Sequence, residues 1–192
     1  MARTAASLGR QARLRKPLPI LLVFTDPVRT PDPEALARAL PDDAALVYRS
    51  FGAPEAEAVA RRLQAILQAR GALLLIGADA GLATRVGADG VHLPQRLAGT
   101  AQGMKGRFRL VTAAAHSLRA ARVAGPDAVV VSAVFPSNSP SAGPPMGPVR
   151  FAALARAAGR PVYALGGVTN ETARRLRSTG AVGLAGIEAF RT

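Results

Sequence analysis

The sequence predicts an α/β fold, a single (β/α)8 TIM barrel with short helices. Short apolar runs of the kind that form buried strands alternate along the whole chain with segments of helical spacing, and that alternation implies a parallel sheet. Eight such units close into a barrel more naturally than they extend an open sheet. At 192 residues with 49% hydrophobic content the chain buries one core and requires no second one.

Each unit can be read in order. Pro19 to Asp26 (PILLVFTD) is a buried strand that ends in the turn signals of Pro27, Pro31 and Pro33, and Glu34 to Leu40 follows with Leu36 and Leu40 at helical spacing. Ala44 to Phe51 is the second strand, and Pro54 to Arg70 the second helix, with Val59, Leu63, Ile66 and Leu67 on one stripe. ALLLIG, a helix over Ala80 to Val86, the strand Gly90 to Pro94 and a weakly helical stretch near Leu97 to Met104 make the third and fourth units. Arg109 to Ala114 precedes a helix over Ser117 to Ala124. Asp127 to Phe135 runs into a loop rich in Pro, Gly and Ser, then a helix from Val149 to Ala158. Pro161 to Val168 is the seventh strand, Thr169 caps a helix extending to Gly180, and Ala181 to Ile187 is the eighth strand.

Composition excludes several classes. The chain has no cysteine and only two histidines, His92 and His116, so disulfides, thiolate chemistry and multi-histidine metal sites are ruled out. No apolar run approaches the roughly 20 residues that cross a bilayer, and a cytoplasmic protein with no membrane partner is expected. The net charge of +13 suggests a polyanion partner at first sight. The arginines are scattered, however, and sets such as Arg61, Arg62 and Arg70, or Arg174, Arg175 and Arg177, read as solvated helix faces. With aromatic content of only 4% there is no stacking set for nucleic acid, which is not expected as a partner. Residues 1–17 carry Arg3, Arg10, Arg13, Arg15 and Lys16 with no acid and read as a basic, flexible N-terminal arm before a barrel over 18–192. Homo-oligomers are compatible with all of this.

In a parallel barrel the site lies at the carboxyl ends of the strands. The residues to read there are Asp26, Arg49, Gly77 to Asp79, His92 to Gln95, Thr112 to His116, Ser137 to Ser141, Gly166, Gly167 and Gly186 to Glu188. Glycines at the ends of the last two strands let backbone N–H groups approach an oxyanion, so Gly166, Gly167, Gly186 and Ile187 are the expected phosphate site. The competing reading is that Gly166 and Gly167 only permit a tight turn. In GADGVHLPQ, Asp89 falls at the amino end of its strand and reads as scaffold, and His92 points away from Val91 and Leu93.

GADGVHLPQ, then TAAAHS, VFPSNSPSAGPPMG, ALGGVT and GAVGLAGIEAF, in that order, resemble the thiamine phosphate synthase family, which includes the TenI-type thiazole tautomerases. The resemblance implies a barrel that binds a phosphorylated thiazole or related thiamine precursor and, in the synthase, a pyrimidine diphosphate held by magnesium. It implies that Arg49, Gln95, Ser137 and Ser139 contact substrate and that His116 is a general acid or base.

The departures from the family pattern are concentrated on the diphosphate. Phe51 replaces a lysine after the second strand, Ala78 and Leu97 replace metal-binding carboxylates, Pro140 replaces a lysine and Ala114 a serine. Asp79 stands one residue late for a metal ligand. A magnesium diphosphate needs hard oxygen ligands and surrounding cations, so no metal and no other cofactor is expected, and the metal-independent tautomerase branch is favoured. An active magnesium-dependent synthase, which would bring magnesium as its cofactor, and a noncatalytic ligand-sensing or partner-binding barrel are the alternatives. Glu188, where the family has serine, would repel a phosphate if it turned inward.

Overall fold

The computed structural model describes residues 2–11, 17–139 and 143–187. Eight parallel strands close on themselves in sequence order: β1 (Leu21–Phe24), β2 (Ala44–Tyr48), β3 (Leu73–Gly77), β4 (Gly90–Leu93), β5 (Leu110–Ala115), β6 (Ala128–Val131), β7 (Val162–Ala164) and β8 (Gly183–Gly186). Closure is made by β1 against β8, with Leu21 opposite Leu184 and Val23 opposite Gly186. The strands are shorter than their apolar runs, because the residues at the run ends turn into the loops of the site.

Strand alternation sorts the apolar residues into two cores. Leu22, Phe24, Ala45, Val47, Leu73, Leu75, Leu110, Val130 and Tyr163 fill the barrel, and their neighbours Leu21, Val23, Leu46, Leu74, Ile76, Val91 and Val129 face the helices. Those helices are α2 (Pro33–Ala39), α3 (Ala56–Ala69), α4 (Ala80–Arg85), α5 (Leu118–Ala121), α6 (Gly147–Ala157) and α7 (Asn170–Ala173). The fourth connection is a 3₁₀ helix over Gln95–Met104, and the helix expected through Gly180 is α7 followed by a 3₁₀ turn over Arg174–Leu176. Side chains start them: Asp32, Asp79 and Ser117 each accept a backbone N–H at the first turn, and Thr169 and Thr172 form a capping box.

The basic opening corrects one expectation. Ala2–Gln11 forms a helix, α1, and packs against β8. Ala5 and Leu8 recur at helical spacing and are fully buried in the outer core, so a short apolar stripe holds a segment whose charge suggested a loose arm. Several arginines of the other helices behave as read. Arg61 and Arg85 pair with Glu57, and Arg62 and Arg38 with Glu34. Arg70, Arg156 and Arg160 instead cap the carbonyls of Leu40, Ser178 and Pro126.

Acidic residues before two strands tie the amino end together. Asp89 accepts the N–H of Leu74 at 3.0 Å and Asp127 that of Val111 at 2.8 Å. Asp89 is therefore scaffold, as its position implied. Tyr163 plugs the same end: its ring is fully buried and its hydroxyl donates to the Pro19 carbonyl at 2.6 Å. That ring fits because residue 183 has no side chain. A Cβ on Gly183 would lie 2.5 Å from the Ile20 carbonyl oxygen and 2.6 Å from the Tyr163 ring. Gly183→Ala is expected to lower stability by about 1–3 kcal/mol through overpacking, read as a lower urea midpoint. An unchanged midpoint would show that the ring has room to move.

Candidate active site

Two joined cavities open at the carboxyl end of the barrel. The smaller, about 330 Å³, is lined by Phe24, Arg49, Gly77, Ala78, His92, Ala114, His116, Ser132, Ser137 and Ser139, among others. The larger, about 770 Å³, takes in Arg29, Gly167, Thr169, Arg175 and Gly186. Ser137, Leu165, Gly166 and Ile187 line both. Of the residues expected from sequence, His116, Arg49, Ser137 and Ser139 thus gather in one chamber, and Gly166, Gly167, Gly186 and Ile187 in the adjoining one.

His116 follows β5 and is held from two sides. Its backbone N–H donates to Gln95 Oε1 at 2.9 Å, and its ring Nδ1 lies 2.9 Å from the Ser132 carbonyl oxygen and 3.3 Å from Ser132 Oγ. A carbonyl only accepts, so the neutral ring carries its proton on Nδ1 and keeps Nε2 as the basic nitrogen. Gln95 does not line either cavity. Its amide oxygen instead braces His116.

Arg49 enters the smaller cavity from β2, tightly bound. Its Nε donates to the Thr25 carbonyl at 2.8 Å, its Nη2 lies 3.2 Å from Asp26 Oδ2, and its guanidinium lies 5.0 Å from the Phe51 ring centre and 5.9 Å from that of Phe24. Phe51, where the family pattern has a lysine, therefore stacks on this arginine. Asp26 Oδ2 also accepts from Arg29 at 3.0 Å, while Oδ1 accepts the N–H groups of Val28 and Arg29. The hydrogen bond from Arg29 leads the effects that hold the Asp26 carboxyl at about 2.

A divalent metal does not fit this donor set. Ala78 offers no side-chain oxygen, Leu97 packs against the outer core, and Asp79 spends Oδ1 on the Leu82 N–H at 2.8 Å as the cap of α4. Asp26 is saturated by two arginines and two amides. Among the described residues no three acids or histidines group in a way that could hold a metal ion.

The larger chamber combines glycine backbone with the charged side chains of Arg29, Arg175 and Glu171. Gly166 and Gly167 adopt φ of 92° and 62°, and a Cβ on Gly167 would lie 2.2 Å from the Pro136 carbonyl oxygen. The tight turn is thus real, and Gly167 packs against the Pro136 backbone so closely that only glycine fits. Arg29 lies on one side, and Arg175 on the other with its guanidinium 5.3 Å from the Phe135 ring centre. Sequence reading placed Arg175 on a solvated helix face. It is exposed, as that reading has it, and from the short 3₁₀ turn after α7 it also lines the cavity, which helical periodicity does not signal. Glu188, Pro140 and Ser141 lie outside the described residues.

His92 is the other residue that sequence reading undervalued. It points into the barrel, as Val91 and Leu93 face the helices, and it meets Phe24 edge to face at 4.9 Å. Burial, and secondarily the charge of Arg49, push its pKa down from 6.5 to about 3. Between those values the unfolded chain takes up a proton that the folded barrel refuses, so stability falls as pH falls, by about 1.4 kcal/mol per unit. From pH 7 to pH 5 the loss should be about 2 kcal/mol, and His92→Gln should remove it. Denaturant midpoints over that range check this; a His92→Gln profile parallel to wild type would show that the group titrates normally. The Asp26 contribution is lost only below its unfolded value of 3.8 and does not overlap.

The family described as thiamine monophosphate synthase matches residues 21–190. A thiamine-phosphate synthase from Chlorobium luteolum is 32% identical over 180 residues, covering 89% of this chain and 84% of the relative. A putative thiamine-phosphate synthase 2 from Aquifex aeolicus is 34% identical over 137 residues, covering 69% and 73%. Among solved structures, thiamine phosphate pyrophosphorylase from Pyrococcus furiosus superposes with a TM-score of 0.75 at 27% identity, covering 87% of this chain and 84% of that one. FabK from Thermotoga maritima, at 16% identity and a TM-score of 0.69 over 96% of this chain and 60% of that one, shares the fold alone. The closed eight-stranded barrel, its paired cavities and the near-complete span of these matches lead to one conclusion: the chain belongs to the thiamine monophosphate synthase family.

Proposed function

We propose that this protein binds a phosphorylated thiazole and moves protons on it without a metal, with His116 as the acid–base group. The observation that carries the reading is the chamber itself: a histidine held through Nδ1 by the Ser132 carbonyl, in a cavity that no aspartate or glutamate lines among the described residues. In this reaction His116 Nε2 takes a proton from one carbon of the bound heterocycle. The electron pair of that C–H bond moves into the ring system, and the imidazolium returns the proton at a second carbon. The step is redox-neutral and needs no co-reactant. Gly166, Gly167, Gly186 and Ile187, with Arg29 and Arg175, would hold the phosphate, and Ser137 and Ser139 would line the passage between the two chambers.

The names of the relatives favour a second reading, in which the chain joins a pyrimidine diphosphate to the thiazole phosphate with magnesium. The donor set argues against it, since hard oxygen ligands are what a magnesium diphosphate requires. Purified protein given both substrates and magnesium is expected to form no thiamine phosphate. It should instead isomerise a thiazole carboxylate phosphate in the presence of a chelator, and His116→Ala should slow that isomerisation by about 10²- to 10⁴-fold with little change in KM. Chelator-sensitive thiamine phosphate formation would establish the synthase. Tight binding of the thiazole phosphate with no turnover of either kind would favour a ligand sensor.

Gly167 is a poor probe of the phosphate chamber, because any side chain there collides with backbone. Arg175→Ala leaves the barrel intact and is expected to weaken binding of the thiazole phosphate by about 10-fold, the scale of a charge-assisted hydrogen bond. Isothermal titration at low and high salt measures it; equal affinity in the variant would put the phosphate elsewhere.

A further inference from the structure

His92 has an unassigned ring nitrogen in the smaller cavity. Its Nδ1 lies 2.9 Å from Thr112 Oγ1, and both residues are buried, Thr112 completely. The two possible directions of that bond are not equivalent. If the imidazole donated, the Thr112 hydroxyl hydrogen would be sealed in the barrel, where it has no acceptor among the described residues, at a cost of about 1–3 kcal/mol. If the hydroxyl donates, both the hydroxyl hydrogen and Nδ1 are satisfied, and the one group left over, Nε2–H, belongs to a ring that lines the cavity. Thr112 therefore donates to Nδ1, and the proton of the neutral imidazole sits on Nε2.

That Nε2–H has no hydrogen-bond partner among the described residues, and the ring lines the cavity. Its geometry complements that of His116. Along β5 the inward-facing positions are Thr112, level with His92, then Ala114, then His116 just beyond the strand. Only a methyl group stands between the two histidine levels. His92 and His116 line the same cavity at successive levels, with Ala114 and Phe24 also in its wall.

We propose that His92 is a fixed, neutral hydrogen-bond donor to the heterocycle, stabilising the negative charge that develops on a ring heteroatom or conjugated oxygen as His116 removes the proton. This rests on the reading of the chamber as a site for a flat heterocyclic phosphate. An uncharged donor suits the role: it forms its strongest bond when the acceptor gains charge, and thus acts more in the transition state than in the ground state. The depressed basicity of His92 keeps it neutral throughout the working pH range.

Two measurements test this. In ¹⁵N-histidine-labelled protein without ligand, long-range proton–nitrogen correlation spectra at pH 7 should report the proton on Nε2 of His92 and on Nδ1 of His116. The Nδ1–H form of His92 would overturn the proposal, whatever the protein's substrate proves to be. In turnover of the thiazole carboxylate phosphate, His92→Phe should lower kcat by about 10- to 100-fold with a smaller change in KM. His92→Gln, which restores an N–H near the same point, should recover part of the loss. Wild-type kcat in a folded His92→Phe protein would exclude the donor role. Absence of turnover in the wild type would instead count against the proposed reaction, leaving the tautomer measurement as the independent check.

Discussion

The interior of an eight-stranded barrel is just wide enough to be filled by its own side chains, and this volume constraint governs the rest of the molecule. At the amino end Tyr163 occupies the space that Gly183 vacates and anchors its hydroxyl on Pro19. Leucines and valines fill the middle. Toward the carboxyl end the inward positions become Gly77, Ala114, Ala133 and Gly166, and the filling fails there by design of residue size. The cavity is what remains when large side chains give way to small ones along the same strands. Its walls are rigid because they are extensions of a closed sheet, so the groups projecting from them hold their positions without a ligand.

Charge at the mouth is set by one carboxylate shared between two arginines. Asp26 binds Arg29 and Arg49 through the same oxygen, at 3.0 and 3.2 Å, and the cluster carries a net positive charge. Such a cluster attracts an anion and repels a metal ion, and its carboxylate cannot ligate a metal without releasing both partners. Replacement of a lysine by Phe51 points the same way, since the aromatic ring pins Arg49 where a second cation would have reached toward a diphosphate. The chambers divide the work accordingly. The larger offers glycine backbone and arginines at its edge, and the smaller offers neutral imidazole, hydroxyls and an aromatic edge.

The architecture was legible because it depends on local pattern. Eight apolar runs, the Thr169 cap and the scaffold role of Asp89 follow from residue type and spacing within short windows. The site was legible as a list of strand ends, and eight of its nine residues do line the cavities. What could not be read is what depends on contact between distant segments. Gln95 faces His116 only because the ends of β4 and β5 lie side by side, and its amide is used there. Arg175 lines the larger cavity from a 3₁₀ turn that follows α7. The short stripe of Ala5 and Leu8 was outweighed, in a sequence reading, by five basic residues, although burial against the outer core decides the conformation of that segment.

The two histidines show how neighbours assign chemistry to identical side chains. One backbone carbonyl, that of Ser132, places the proton of His116 on Nδ1, and one hydroxyl, that of Thr112, places the proton of His92 on Nε2. Exposure separates them further. His116 stands at the rim, where solvent reaches it. His92 lies in the barrel next to the charge of Arg49, where protonation is strongly disfavoured. A proton transfer needs a group that can accept charge and another that can stabilise its counterpart without ionising. Exchanging the two environments would leave a buried base that could not be protonated and an exposed donor competing with water, so in the proposed reaction the depth of each histidine decides its part.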